Sequence, residues 1–262
     1  MSQQTTGIGF VGGGRIVRIF LEGWSRARAL PESVVVSDCN EEVLKNLQER
    51  FPNVQTVVDN AQAAAQNMVF LAVHPPVVVE VLGQIQTALS ADSLLVSLVP
   101  KWTIAELSKR LGGFDRIARV IPNAASIVGQ GYNPLAFSPS LSEKDRSLIL
   151  TVLQPLGESP EVKEQTLEGY AVVSAMSPTW LWPQWLELVR LGKQFGIEES
   201  EARQAVLRSV QGAVATLLDS GLTGEQVQDL VPVKPLAEEV DQWLQAYRTR
   251  LTSLWEKIRP AE

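Results

Sequence analysis

The sequence predicts an α/β domain built on a parallel sheet, followed by an all-α domain. Three observations carry this. Short apolar runs alternate with amphipathic stretches through the first half of the chain. A glycine-rich turn follows the first apolar run and opens a helix. The pattern changes after about Pro155, and helical spacing dominates from Thr166 onward. Continuous apolar strands separated by helices belong to a parallel sheet covered on both faces. The expected division is a first domain over residues 1–163 and a helical domain over 164–262.

Taken in order, Ile8-Gly9-Phe10-Val11 has the composition of a buried strand. Arg15 to Ala29 reads as a helix with Ile16, Ile19, Phe20 and Gly23 on one face. Val34 to Val36 is a second strand, and Glu41 to Phe51 a helix with Asn40 as N-cap. Gln55 to Val58 is a short strand, and the alanine-rich Asn60 to Gln66 a helix. Val69 to Val73 is the most strand-like run in the chain. Pro76 to Leu89 reads as helix, Leu94 to Leu98 as strand, Ile104 to Leu111 as helix and Ile117 to Ile121 as strand. In the second half, Ala202, Ala205, Val206, Ser209, Gly212, Ala213 and Thr216 form a stripe of small residues that a neighbouring helix can approach closely. Leu236, Val240, Trp243, Tyr247, Leu251, Leu254 and Ile258 form an apolar stripe at steps of three and four.

The segment Gly12-Gly13-Gly14-Arg15-Ile16-Val17, between a strand and a helix, stands where a dinucleotide-binding turn of the Rossmann type requires glycines. Gly12 permits the tight turn. Gly14 lets backbone N–H groups approach a pyrophosphate at the positive end of the helix. The third position of the fingerprint is Val17 rather than glycine or alanine, which weakens the match. The second strand ends at Ser37-Asp38, 24 residues after Gly14. A carboxylate there accepts hydrogen bonds from ribose hydroxyls and repels a 2′-phosphate, which favours NAD over NADP. Two features compete with that reading. Asp38 also stands where it can cap the next helix, and Arg15 carries a guanidinium within reach of a phosphate.

Composition narrows the function classes. The 262 residues are 45% hydrophobic and 20% charged, a globular balance, with a net charge of −6. No dense Lys/Arg cluster marks a nucleic-acid surface. The single cysteine, Cys39, excludes an intrachain disulfide, and with the single histidine, His74, it argues against a metal centre. Met1 to Thr6 is polar and uncharged, and Ile8 to Val11 is too short for a signal h-region. No apolar run reaches the roughly 18 residues of a membrane span. A cytoplasmic protein with a small-molecule substrate is expected, with neither nucleic acid nor membrane as partner.

Several segments together resemble the pyrroline-5-carboxylate reductases. They are Ile8 to Gly14, Phe70-Leu71-Ala72-Val73-His74-Pro75, Arg119-Val120-Ile121-Pro122-Asn123 and Val128-Gly129-Gln130-Gly131. In the second half Gln211-Gly212-Ala213 and Ser220 to Val231 keep the family's helix register, so the resemblance spans nearly the whole chain. It implies a Rossmann domain, a C-terminal helical domain that builds a homodimer, and a nicotinamide facing an imine near the dimer interface. The cofactor positions it implies are Gly12, Gly13, Gly14, Arg15, Ile16, Ser37, Asp38, Ala72, Val73, His74 and Pro75, with Asn60 near the adenosine end.

The chain departs from that family around the substrate. Where the family carries Ser-Pro-Gly-Gly-Thr-Thr, this chain has Pro232-Val233-Lys234-Pro235-Leu236-Ala237. The family's Gly-Ser-Gly-Pro-Ala-Tyr becomes Ala175-Met176-Ser177-Pro178-Thr179-Trp180, and Asn-Thr-Pro becomes Asn123-Ala124-Ala125. Candidate substrate contacts are therefore Asn123, Ser177, Trp180 and Lys234. His74 stands in the place of the family lysine. Its ring can donate a proton near neutral pH, and it can equally pack in the turn. Trp180, Trp182 and Trp185 can wall a pocket, or serve as core or dimer contact. Lys234 can meet an anionic substrate or face solvent. Ser-His-Asp hydrolysis would need His74, which the fold assigns to the cofactor turn. The leading function is hydride transfer to or from an imine or carbonyl carbon, with weak use of pyrroline-5-carboxylate itself. The alternatives are a catalytically silent NAD(P)-binding sensor or scaffold, and a reductase of a non-imine substrate. Against the last, the lysine-and-asparagine helix signature of β-hydroxyacid dehydrogenases is missing.

Overall fold

The computed structural model describes residues 7–260, so Met1 to Thr6 and the last two residues lie outside it. Seven strands form the main sheet: β1 (Ile8–Val11), β2 (Val34–Ser37), β3 (Gln55–Val57), β4 (Met68–Leu71), β5 (Leu94–Ser97), β6 (Ile117–Val120) and, past the short β7 (Gly131–Tyr132), β8 (Leu135–Phe137). Their order is β3-β2-β1-β4-β5-β6-β8. The pairs from β3 to β6 are all parallel, and β8 adds an antiparallel edge beside β6. The chain starts at the centre of the sheet, runs to one edge and returns to the other, the doubly wound topology.

Alternation along each strand divides the core in two. On one face Ile8, Phe10, Val36, Phe70, Val96 and Val120 pack against α1 (Arg15–Arg26), α2 (Glu41–Arg50) and α6 (Glu143–Leu153). On the other, Val11, Val35, Val69, Leu71, Leu95 and Ile117 pack against α3 (Asn60–Ala64), α4 (Val78–Ile85) and α5 (Ile104–Arg110). Phe10 stacks on Phe70 with centroids 4.9 Å apart, and Phe20 and Trp24 meet both rings edge-on or tilted. α3 lies so close to β1 that a Cβ on Gly9 would sit 1.9 Å from the Ala63 carbonyl oxygen. Val17, in place of the fingerprint glycine, is fully buried among these side chains.

Differences from the sequence reading have local causes. The helix expected to reach Ala29 stops at Arg26, because Arg28 turns to positive φ. The segment expected as one helix from Pro76 begins as a 3-10 turn, Pro75–Val77, before α4, since Pro75 and Pro76 supply no N–H. β8 and α6 have no counterpart among the expected elements. β8 is only three residues long, and α6 carries a weak apolar stripe.

The described chain divides into two compact units, Met1–Met176 with Leu254–Glu262, and Ser177–Ser253. The first unit therefore continues beyond residue 163, where the helical domain was expected to begin. Leu167 and Ala171 pack on Ile121 and Ala136, and Glu164 and Glu168 both pair with Arg119 on β6. The second unit contains α8 (Pro178–Gln194), α9 (Glu199–Asp219), α10 (Gly224–Asp229) and most of α11 (Ala237–Ile258), the short α7 (Leu167–Tyr170) belonging to the first. α8 meets α9 where Gly192 and Ala202 approach, and these are the only buried residues of the unit. No helix among the described residues is long and apolar enough to cross a membrane.

Candidate active site

The end of β1 turns at Gly12, whose φ is +100°. Its N–H donates to the Ser37 carbonyl at 2.8 Å, and a Cβ there would stand 2.6 Å from the Ala72 carbonyl oxygen. Gly13 donates its N–H to Asp38 Oδ2 at 2.8 Å, while Asp38 Oδ1 accepts the Asn40 N–H at 2.9 Å. Asp38 therefore braces the glycine turn and the entry to α2 at once. Asn40 caps α2, accepting from the Glu42 N–H at 2.9 Å. Gly14 precedes α1, no side chain caps that helix, and a Cβ at Gly14 would meet nothing within 4 Å. An uncapped helix start with open space above it is where an anion gains N–H partners and dipole stabilisation.

A cavity of about 710 Å³ opens around this helix start, lined by Gly13, Gly14, Arg15, Arg18, Asn46 and His74, among others. Arg50 on α2 pairs with Glu22 at 2.8 Å. That bond holds the Glu22 carboxyl below its usual range, burial opposes it, and Arg18 adds to the lowering. Arg15 and Arg18 enter no ion pair among the described residues, so the cavity mouth is positive. Ser37 Oγ, buried at the end of β2, lies 2.7 Å from Asn60 Oδ1, and Asn60 Nδ2 donates to Gln84 at 2.6 Å. Asn60 thus ties the second strand to α4.

The turn after β4 places Ala72 and Val73 against Gly12, and His74 lines the cavity with Gly13 and Gly14. The Ala72 N–H donates to the Val11 carbonyl at 2.8 Å. His74 is exposed and opens the 3-10 turn, its carbonyl accepting the Val77 N–H. The structure thus gathers Gly12 to Ile16, Ser37, Asp38, Asn60 and Ala72 to Pro75 along the C-terminal edge of the sheet, around its centre. The direction of the chain's path reverses at this centre, and open α/β sheets bind their ligands at such points.

The candidate substrate residues fall in both units. Asn123 in the first unit is committed to structure. Its Oδ1 accepts the Ala125 N–H at 2.8 Å, its Nδ2 donates to Ser174 Oγ at 3.3 Å, and its N–H donates to Asn133 at 2.8 Å. Ser177, Trp180 and Lys234 belong to the second unit. The Ser177 carbonyl accepts the Trp180 N–H, the Trp180 ring lies 6.0 Å from Tyr247, and Lys234 is exposed. Sequence reasoning missed Arg18, Glu22 and Arg50. The first two share the outward face of α1 with Arg15, a spacing visible in the sequence, whereas Arg50 joins them only through tertiary packing.

A family model described as "NADP oxidoreductase coenzyme F420-dependent" matches residues 7–101. The chain is 28% identical to a pyrroline-5-carboxylate reductase from Corynebacterium melassecola, over 82% of this chain and 81% of that one. It is 25% identical to the Escherichia coli pyrroline-5-carboxylate reductase, over 86% and 84%. Among solved structures, a Plasmodium falciparum pyrroline carboxylate reductase with NADP bound superposes with a TM-score of 0.79 at 19% identity, covering 97% and 96%. A prephenate dehydrogenase from A. aeolicus reaches 0.57 at 13% identity, covering 97% and 100%.

Proposed function

We propose that this pyrroline-5-carboxylate reductase-like chain is an NAD(P)-dependent oxidoreductase that transfers a hydride to or from an imine or carbonyl compound and uses pyrroline-5-carboxylate itself inefficiently. One observation carries the cofactor half: the glycine turn leads into an uncapped helix start facing a cavity with free arginines. Gly12 to Ile16 would hold the pyrophosphate, Ser37, Asp38 and Asn60 the adenosine ribose side, and Ala72 to Pro75 the nicotinamide side. When bound, the dinucleotide supplies a hydride to, or takes one from, the substrate carbon. His74, exposed in the turn after β4, would give a proton to the reduced product. The Asp38 carboxylate beside the loop favours NAD over NADP.

The substrate half rests on Pro232 to Ala237. Pro232 and Pro235 have no backbone N–H, and Val233 and Leu236 add apolar bulk. If each hydrogen bond lost to a substrate carboxylate is worth about 1–3 kcal/mol, losing two weakens transition-state binding by about 30-fold to more than 10,000-fold. An exposed Lys234 ion pair returns about 1 kcal/mol at most. Two measurements test the proposal. Calorimetry with NAD+, NADH, NADP+ and NADPH should detect binding, with Asp38→Ser moving preference toward NADP(H). No binding at millimolar concentration ends the reading. A steady-state assay with pyrroline-5-carboxylate should stay below about 10⁴ M⁻¹s⁻¹ in kcat/KM, the lower end of ordinary enzymes. Hydride exchange with a panel of cyclic imines separates this enzyme from a silent NAD(P)-binding sensor.

We also propose a homodimer built by the C-terminal helices. Trp182, Leu186, Leu218 and Trp243 are 47%, 62%, 73% and 45% exposed in the single chain. Exposed apolar surface on that scale marks an interaction site. Light scattering should report twice the 28.7 kDa chain mass, and a stable monomer across micromolar concentrations would count decisively against it.

A further inference from the structure

Beyond β5 the chain makes a turn that the cofactor reading does not use. Lys101 adopts φ +76°, and Arg28 is the only other non-glycine residue with positive φ among the described residues. A left-handed lysine costs free energy, so the surrounding structure must hold it there. The hold is visible. The Lys101 N–H donates to Glu168 Oε1 at 2.9 Å, and the same oxygen pairs with Arg119. Glu168 and Arg119 are both buried. A buried ion pair therefore fixes an exposed lysine in a strained conformation.

The lysine faces a second cavity, of about 370 Å³, lined by Pro75, Pro76, Lys101, Trp102 and Glu106. It adjoins the turn that carries His74. Glu106, the one acidic group in the lining, is already engaged: its carboxylate accepts the Thr103 N–H and hydroxyl, each at 2.8 Å. Lys101 has no ion-pair partner among the described residues. The cavity thus combines an unpaired ammonium with walls of proline and tryptophan.

We propose that Lys101 is a specificity-determining residue that reads a carboxylate on the substrate, with Glu168 as its positioning residue. This rests on the oxidoreductase reading above. A ring-bearing acid fits: the carboxylate meets the ammonium while the ring lies against Trp102 and the prolines.

Benzoate and benzamide are the probes, titrated by ligand-observed NMR into the full-length protein. The wild type should bind benzoate at least about tenfold more tightly than benzamide, a preference that shrinks as salt rises. Lys101→Met should remove the preference, and Lys101→Arg should keep most of it. Glu168→Gln should reduce it without changing NAD(P)H affinity. Because Glu168 is buried and that variant can misfold, Lys101→Gly provides a second check. It should leave the melting temperature unchanged or higher, since glycine takes positive φ without strain. Equal binding of the two probes, no binding of either, or a preference that survives Lys101→Met overturns the assignment. A melting temperature lowered by more than about 2 °C in Lys101→Gly also overturns it, because the lysine then serves stability. Calorimetry with NAD(P)H on the same samples keeps the two readings apart. A wild type with no benzoate preference but intact cofactor binding refutes Lys101 alone, and absent cofactor binding refutes the oxidoreductase reading alone.

Discussion

Gly12→Ala is expected to lower the affinity for NADH and NADPH by about 30-fold to 150-fold. The new Cβ would stand 2.6 Å from the Ala72 carbonyl oxygen and 2.9 Å from its carbon. Both belong to backbone, so no side chain can swing aside. The φ of +100° adds strain of its own, and together these cost about 2–3 kcal/mol, with each 1.4 kcal/mol a tenfold change in affinity. Relief requires either the glycine turn or the Ala72 turn to move, and each carries proposed cofactor contacts. Gly14→Ala is the informative partner, because its Cβ would meet no protein atom within 4 Å. Any affinity it loses reports how closely the bound ligand approaches. Calorimetry decides the matter, and a Gly12→Ala affinity within threefold of wild type would remove the steric argument.

Arg119→Leu is expected to destabilise the protein by about 3–5 kcal/mol. Arg119 is 1% exposed and Glu168 fully buried, so removing the guanidinium leaves a carboxylate inside the first unit without its counter-charge. Glu164 Oε1, which accepts from Arg119 at 3.1 Å and from the Ile104 N–H at 2.7 Å, loses a partner as well. The wild-type network is already incompletely satisfied, since Arg119 Nε and Glu168 Oε2 have no hydrogen-bond partner among the described residues. Replacing both charges should therefore cost less than removing one. The double variant Arg119→Leu/Glu168→Leu is expected to recover part of the loss. Urea unfolding measures both. A single-variant loss under about 1 kcal/mol would show that water reaches the pair and screens it.

Much of the fold was legible because its signals are local. Apolar runs such as Val34 to Val36 and Val69 to Leu71 are buried on both faces, and they read as strands without knowledge of their neighbours. Asn40 stands directly before the first turn of α2 and caps it. Gly12, between β1 and α1, marks a turn that larger side chains cannot make. Weak patterns failed, as in the three-residue β8, and so did boundaries that proline chemistry moved, as at Pro75 and Pro76.

The sequence by itself determined the parallel sheet, the glycine turn, the Asn40 cap and the switch to helical spacing, since each depends on residues within a few positions of one another. Only the tertiary structure decided that Asp38 braces Gly13, that Arg50 reaches Glu22 across 28 positions, and that Glu168 pins Lys101 across 67. Those partners meet because the fold packs distant segments of the chain together. Electrostatic contacts of this kind leave no periodicity along the chain: a carboxylate needs a donor close to it in space, at whatever separation in sequence.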